Sequence, residues 1–224
     1  KDAPLLWKEK LHSNLLKHGW MQSRHEECMF YLRRNGKLIA AFTTHVDDLE
    51  ACGDKPQLRE LLNVLNKEFG RGTPLKEQSG SFTHCGVQYV QRDGELLMSQ
   101  EKFVNDVEYR PAFPRSTPPT QKLNPKEHTG YRSGTGALLW ALKTRMDFSS
   151  KVSELKRADA SPTVADHKAL NKVISEMRCT AKQCLHFRRF PAGCSRKWRL
   201  ILFTDASFNK REDEKSFSQL GYII

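Results

Sequence analysis

The chain has 224 residues, 38% of them hydrophobic, with 37 Lys and Arg against 26 Asp and Glu, enough apolar content for one large or two small cores and too much for a disordered chain. No apolar run approaches the ~18 residues of a membrane span, and Lys1-Asp2-Ala3-Pro4 lacks the basic-then-apolar opening of a signal peptide. Six scattered cysteines are too sparse for a disulfide scaffold, so membrane and secreted classes fall away and free thiols in an intracellular setting, cytoplasmic or nuclear, are expected.

Apolar residues at Trp7, Leu11 and Leu15 recur every four positions and Gly19 follows Lys17-His18, which predicts an amphipathic helix stopping near residue 18. Because a domain seldom starts mid-pattern, a preceding segment is expected. Cys28 to Leu32 and Leu38 to Phe42 flank Asn35-Gly36, a pair that tolerates positive φ and predicts a tight hairpin. The second strand runs through Thr43, Thr44, His45 and Val46 into Asp47-Asp48 and resumes at Leu49 to Cys52, so two adjacent carboxylates fall between two short strands. Asp54, with Pro56 and Gln57 behind it, reads as a capping-box start, and Leu58, Leu61, Leu62, Leu65 and Phe69 form a helical stripe closed by Gly70. Phe82 to Val90 and Leu96 to Ser99 read as a second hairpin about Arg92-Asp93-Gly94, followed by a short helix from Gln100 to about Tyr109.

Five of the ten prolines lie between 111 and 125, marking an extended connector and a subdomain boundary. Beyond it, Tyr131 to Arg145 and Val164 to about Arg178 read as helices, the second introduced by Ser161-Pro162. Leu185 to Phe190 and Trp198 to Thr204 read as strands, the latter ending on Asp205, and Leu220 to Ile224 begins another. The expected class is α+β.

Charge is uneven. Residues 126–224 carry 19 Lys and Arg against 10 Asp and Glu. No acidic residue lies between Glu176 and Asp205, while Arg178, Lys182, Arg188, Arg189, Arg196, Lys197 and Arg199 are interleaved with Phe187, Phe190 and Trp198. That is the footprint of a nucleic-acid partner, with a solvated basic face as the plainer alternative. Cys179, Cys184, His186 and Cys194 match neither a zinc finger nor a zinc knuckle in spacing and read as scattered thiols. The remaining histidines, His84 among them, have no paired ligand pattern and default to surface or packing roles.

Adjacent aspartates at a β-bend repel one another unless a divalent cation such as Mg²⁺ lies beside them. By itself such a pair is more often a solvated acidic turn. Its flanks add to it. His45-Val46-Asp47-Asp48 between strands resembles the Tyr-Val-Asp-Asp hairpin of reverse transcriptases, and an ordered set of further segments resembles the copia-type (pseudovirus) retrotransposon polymerase. These are Lys1-Asp2-Ala3-Pro4 with Trp7 and Glu9-Lys10-Leu11, Ser99-Gln100-Glu101-Lys102-Phe103, Ser116-Thr117-Pro118, Tyr131-Arg132-Ser133 through Thr144-Arg145-Met146-Asp147, Ser161-Pro162-Thr163 with His167, and Thr204-Asp205-Ala206-Ser207 with Gly221-Tyr222. The ordered set, more than any one motif, carries the likeness over nearly the whole chain.

The resemblance implies a reverse-transcriptase palm over 1–110, a proline-rich connector and helical thumb or connection over 111–197, and the first strands of an RNase H domain over 198–224. It implies Asp47 and Asp48 as catalytic metal-binding carboxylates of a two-metal Mg²⁺ site, Asp205 as the first RNase H carboxylate, and RNA template, DNA primer and the rest of the Pol polyprotein as partners. A third palm carboxylate is expected from a strand before Lys1 and further RNase H carboxylates from beyond Ile224, so RNA-directed DNA polymerase activity is not expected of the chain alone. The alternative is a non-catalytic, basic nucleic-acid-binding remnant. Three segments depart from the pattern: His45 replaces the tyrosine that contacts the primer–template minor groove, Met146 replaces a proline, and Cys85-Gly86-Val87-Gln88 stands for Leu-Gly-x-Glu.

Overall fold

The computed structural model describes residues 5–45, 48–70 and 72–189, with the backbone alone of 3–4, 203–209 and 217–223. The chain divides into a larger unit, Lys1–Arg188, and a smaller one, Arg189–Ile224. Helices and antiparallel sheets together make a mixed arrangement compatible with the α+β class.

The larger unit opens with α1 (Ala3–Lys17), whose Leu11 and Leu15 are buried as their four-residue spacing requires. They pack on a four-stranded antiparallel sheet of β1 (Met21–Gln22), β2 (Met29–Arg34), β3 (Lys37–His45) and β4 (Asp48–Gly53), in that spatial order. The expected β2–β3 turn forms at Asn35 (φ 50°) and Gly36 (φ 76°), two left-handed residues that match the twist of the strands. Helix α2 (Lys55–Phe69) buries Leu61 and Leu65 against the same core, with Phe30, Phe42 and Trp20. Asp54 does stand at its N-cap, but its side chain makes no capping hydrogen bond, so the expected capping box is absent.

The second hairpin is cut differently from expectation. Phe82 to Val90 is two strands, β5 (Ser81–His84) and β6 (Val87–Arg92), parted by Cys85 (φ 47°) and Gly86 (φ 75°), which make a second left-handed turn. With β7 (Glu95–Ser99) and β8 (Leu185–Arg188) they form another antiparallel sheet in the order β5-β6-β7-β8. Strand β8 thus returns from far along the chain to pair with β7, Met98 opposite Leu185 and Glu95 opposite Arg188.

Helix α3 (Glu101–Asp106) is shorter than expected because Val107 turns extended and buries its side chain. After the connector, α4 (Pro125–Ala141) begins six residues before Tyr131, started by a capping box in which Asn124 accepts from the Glu127 N–H and Glu127 accepts from the Asn124 N–H. A 3-10 turn (Met146–Phe148) and α5 (Ser149–Arg157) follow where no element was expected. Helix α6 (Val164–Cys179) carries the second capping box, from Thr163 and Asp166. Tyr131, Leu138, Val152, Leu155, Leu170 and Ile174 form the core of this helical layer. The approach of α4 to α6 is close at Gly134, where an added Cβ would stand 2.7 Å from a Leu170 methyl carbon.

In the smaller unit β9 (Phe203–Asn209) pairs antiparallel with β10 (Phe217–Ile223). Of the strand expected over 198–204, residues 198–202 lie outside the described residues; Asp205 falls within β9, opposite Gly221, rather than at the strand's end. Among the described residues no helix is long and apolar enough to cross a membrane.

Candidate metal and nucleic-acid site

Strands β3 and β4 meet at a mouth where His45 pairs with Asp48. Both residues are exposed, and Asp47 lies outside the described residues. Because side chains alternate along a strand, Asp48 and Glu50 lie on one face of β4. That face looks onto a cleft of about 670 Å³ bounded by α2 and β5, with Leu58, Leu62 and His84 also in its wall. The Nε2 atom of His84 lies 3.8 Å from Glu50 Oε2 and 3.5 Å from Cys85 Sγ. Ligating atoms of Asp48, His84 and Cys85 all lie within 4.8 Å of one another. Tyr89, stacked on Phe82 at 4.9 Å, has its phenol pushed above the usual range by burial and then by the nearby Glu50 carboxylate.

An Mg²⁺ ion takes oxygen ligands in octahedral geometry and keeps several waters. The exposed carboxylate of Asp48 fits that demand, with Glu50 two residues along the same face. The imidazole of His84 and the thiol of Cys85 do not, being donors for softer ions. Sequence reading missed both. His84 has no ligand spacing around it, and Cys85 meets it only because the turn at Cys85-Gly86 breaks strand alternation.

The basic residues divide. Arg178 is spent internally: its guanidinium donates to the Asn105 carbonyl and lies over the Tyr109 ring, 4.7 Å from the centroid. Lys182, Arg188 and Arg189 are exposed. Arg196, Lys197 and Arg199 lie outside the described residues, and the side chain of Asp205 is not described. Cys28, Cys52, Cys85, Cys179 and Cys184 are unbridged, as expected. Cys184 and His186 do meet, Sγ to Nε2 at 3.2 Å, and His186 Nδ1 is 3.5 Å from Glu95 Oε2. Cys179 is exposed and Cys194 lies outside the described residues.

One residue of the resembling segments proves structural. Arg145, 1% exposed, donates to both Asp147 carboxylate oxygens at 3.1 and 2.8 Å, to the carbonyls of Met177 and Thr180, and to Thr180 Oγ1 at 2.7 Å. This bidentate clamp ties the end of α4 to the end of α6.

Antiparallel sheets, an exposed aspartate where β3 and β4 meet, and a helical layer with its own core make a protein of mixed α and β structure. Over its full length the chain is 24% identical to the retrovirus-related Pol polyprotein from transposon RE1 and 26% identical to that from transposon RE2, both of Arabidopsis thaliana, covering 15% and 16% of those proteins. It is also 26% identical over its full length to a putative transposon Ty5-1 protein of Saccharomyces cerevisiae, of which it covers 74%. No family model matches, and no solved structure matches. The chain is thus similar over its full length to Pol polyproteins of copia-type retrotransposons, and it spans about 15% of the length of the plant relatives.

Proposed function

We propose that this segment is the part of an RNA-directed DNA polymerase that presents the hairpin carboxylates, Asp47 and Asp48, to a primer end. The observation that carries the reading is the exposed Asp48 at the mouth of β3 and β4, directly across from His45. Mg²⁺ held there would activate the primer 3′-hydroxyl and neutralise charge on the leaving phosphates. The chain's own part is positional. The two-stranded ladder fixes the carboxylate of Asp48 at a solvent-facing edge, and His45 supplies a hydrogen-bonding ring beside it where the resembling polymerases carry a tyrosine. Lys182, Arg188 and Arg189 would grip phosphates. Arg178, already committed to Asn105 and Tyr109, would not. Asp205 would serve as a carboxylate of an RNase H site.

The test is primer extension by a Pol polyprotein carrying this segment. Asp48→Asn abolishes Mg²⁺-dependent incorporation while the 224-residue chain alone incorporates nothing; retained extension in the variant overturns the reading. Duplex affinity of the chain should fall steeply with salt, and Arg188→Ala with Arg189→Ala should shallow the log–log slope by about one unit per lost contact. Salt-dependent binding with no role for Asp48 would favour the non-catalytic nucleic-acid-binding alternative.

A further inference from the structure

We propose that Asp48, His84 and Cys85 form a binding site for a borderline divalent ion of the zinc class, with Glu50 as the adjoining fourth donor. The inference does not rest on the polymerase reading, since neither nucleic acid nor nucleotide enters it. It starts from donor chemistry: a carboxylate oxygen, an imidazole nitrogen and a thiol together are the ligand types of zinc, whereas oxygens alone suit Mg²⁺.

Geometry follows. Tetrahedral zinc, with Zn–N near 2.0–2.1 Å and Zn–S near 2.3 Å, separates its ligand atoms by about 3.3–3.6 Å. Cys85 Sγ and His84 Nε2 are already 3.5 Å apart. Glu50 Oε2 is 3.8 Å from the same nitrogen, and the Asp48, His84 and Cys85 donors lie within 4.8 Å of one another. Small side-chain rotations bring such atoms to ligand spacing. Two neighbours in an extended strand point to opposite faces, so His84 and Cys85 would ordinarily diverge. Cys85 instead takes φ 47° in the turn, a conformation that disfavours a side chain bearing a Cβ, and this brings its sulfur round to the His84 nitrogen. The donors arrive from both sheets of the larger unit: Asp48 and Glu50 from β4, His84 from the end of β5, and Cys85 from the turn after it. An ion here would tie one sheet to the other.

Zn²⁺ is d¹⁰ and spectroscopically silent, so Co²⁺ is the probe, titrated into the reduced 224-residue chain. One equivalent should bind with a near-ultraviolet thiolate-to-cobalt charge-transfer band. Cys85→Ser should remove that band. His84→Gln and Asp48→Asn should each weaken binding by roughly tenfold or more, while Cys184→Ser leaves both band and affinity unchanged. Excess Mg²⁺ should not displace the ion. Zn²⁺ should raise the melting temperature of the chain but not of Cys85→Ser, with far-ultraviolet circular dichroism verifying that each variant folds. A band that survives Cys85→Ser, that disappears in Cys184→Ser, or that never forms would overturn the proposal. If Cys85→Ser does not fold, unchanged Co²⁺ affinity in both His84→Gln and Asp48→Asn would overturn it equally.

Discussion

The helical layer between Pro125 and Cys179 and the hairpin mouth between β3 and β4 treat polar groups in opposite ways. In the layer, Arg145 is sunk in the core and saturated by Asp147, Met177 and Thr180, both long helices begin with reciprocal capping boxes, and the buried Tyr131 hydroxyl donates to the Leu155 carbonyl at 2.7 Å. At the mouth, Asp48 is exposed, and its carboxylate and the His84 and Cys85 donor atoms lie within 4.8 Å of one another. Satisfied polar groups in a low-dielectric interior rigidify a scaffold. Donor groups gathered at an edge remain available to an ion. The layer is therefore where substitutions should cost stability, and the mouth where they should cost binding.

The clamp provides the hardest test of that division. Arg145→Ala should lower unfolding free energy by roughly 3–5 kcal/mol in urea denaturation, because the carbonyls of Met177 and Thr180 lose their donors and the Asp147 carboxylate loses its partner. Arg145→Lys should recover only part, since a lysine cannot span two carboxylate oxygens. Asp48→Asn, by contrast, should leave the denaturation midpoint nearly unmoved. Equal losses at the two positions would erase the distinction.

Gly134→Ala comes next. A methyl group there meets Leu170 at 2.7 Å and the Arg110 side chain at 3.1 Å, so prising α4 from α6 should cost about 1–3 kcal/mol by the same measurement.

Acidification probes the two cores, because the helical layer and the core under α1 each hold a histidine that burial keeps below its ordinary pKa: His167 in α6, edge-on to Phe113, and His12 in α1, edge-on to Phe30. A lowered folded-state pKa means the unfolded chain binds the proton more tightly. Stability from these groups is thus present above about pH 6.5 and lost as pH falls below it, with a slope of at most about 1.4 kcal/mol per pH unit for each imidazole. Melting curves at stepped pH should show the decline, and His167→Gln should flatten its share. A midpoint that rises on acidification would contradict the burial argument.

The smallest contrast is among helix starts. Thr163→Ala should cost about 1 kcal/mol through loss of the cap on α6. Asp54→Ala should cost much less, because Asp54 makes no side-chain cap bond to α2. Thermal denaturation of the two variants decides it, and an Asp54 loss as large as that of Thr163 would count against the assigned cap geometry.

Short-range patterns were legible wherever local chemistry settles the outcome. Asn35-Gly36 made its turn because both residues tolerate positive φ, and the leucines of α2 sit inward at Leu61 and Leu65 because helical spacing leaves no other face. Asp48 was legible near the bend, although it opens β4 opposite His45 rather than lying between strands, and Asp47 lies outside the described residues. Illegible were features that depend on neighbours distant in sequence. Cys85 entered a left-handed turn that a run of strand-forming residues concealed, α5 hid within a polar stretch whose Val152 and Leu155 become core only once α4 and α6 flank them, and β8 found β7 across some ninety positions.

From its residues alone, then, this chain determines its Asn35-Gly36 hairpin, its helical stripes, its basic flank and its resemblance to copia-type Pol proteins, because turn chemistry, periodicity and charge act over a few residues at a time. Tertiary structure alone decided that Arg178 meets the Asn105 carbonyl and the Tyr109 ring, that Arg145 is a buried clamp, and that Asp48 shares its edge with His84 and Cys85. Such pairings are set by which surfaces the hydrophobic cores bring together. No local rule specifies that meeting.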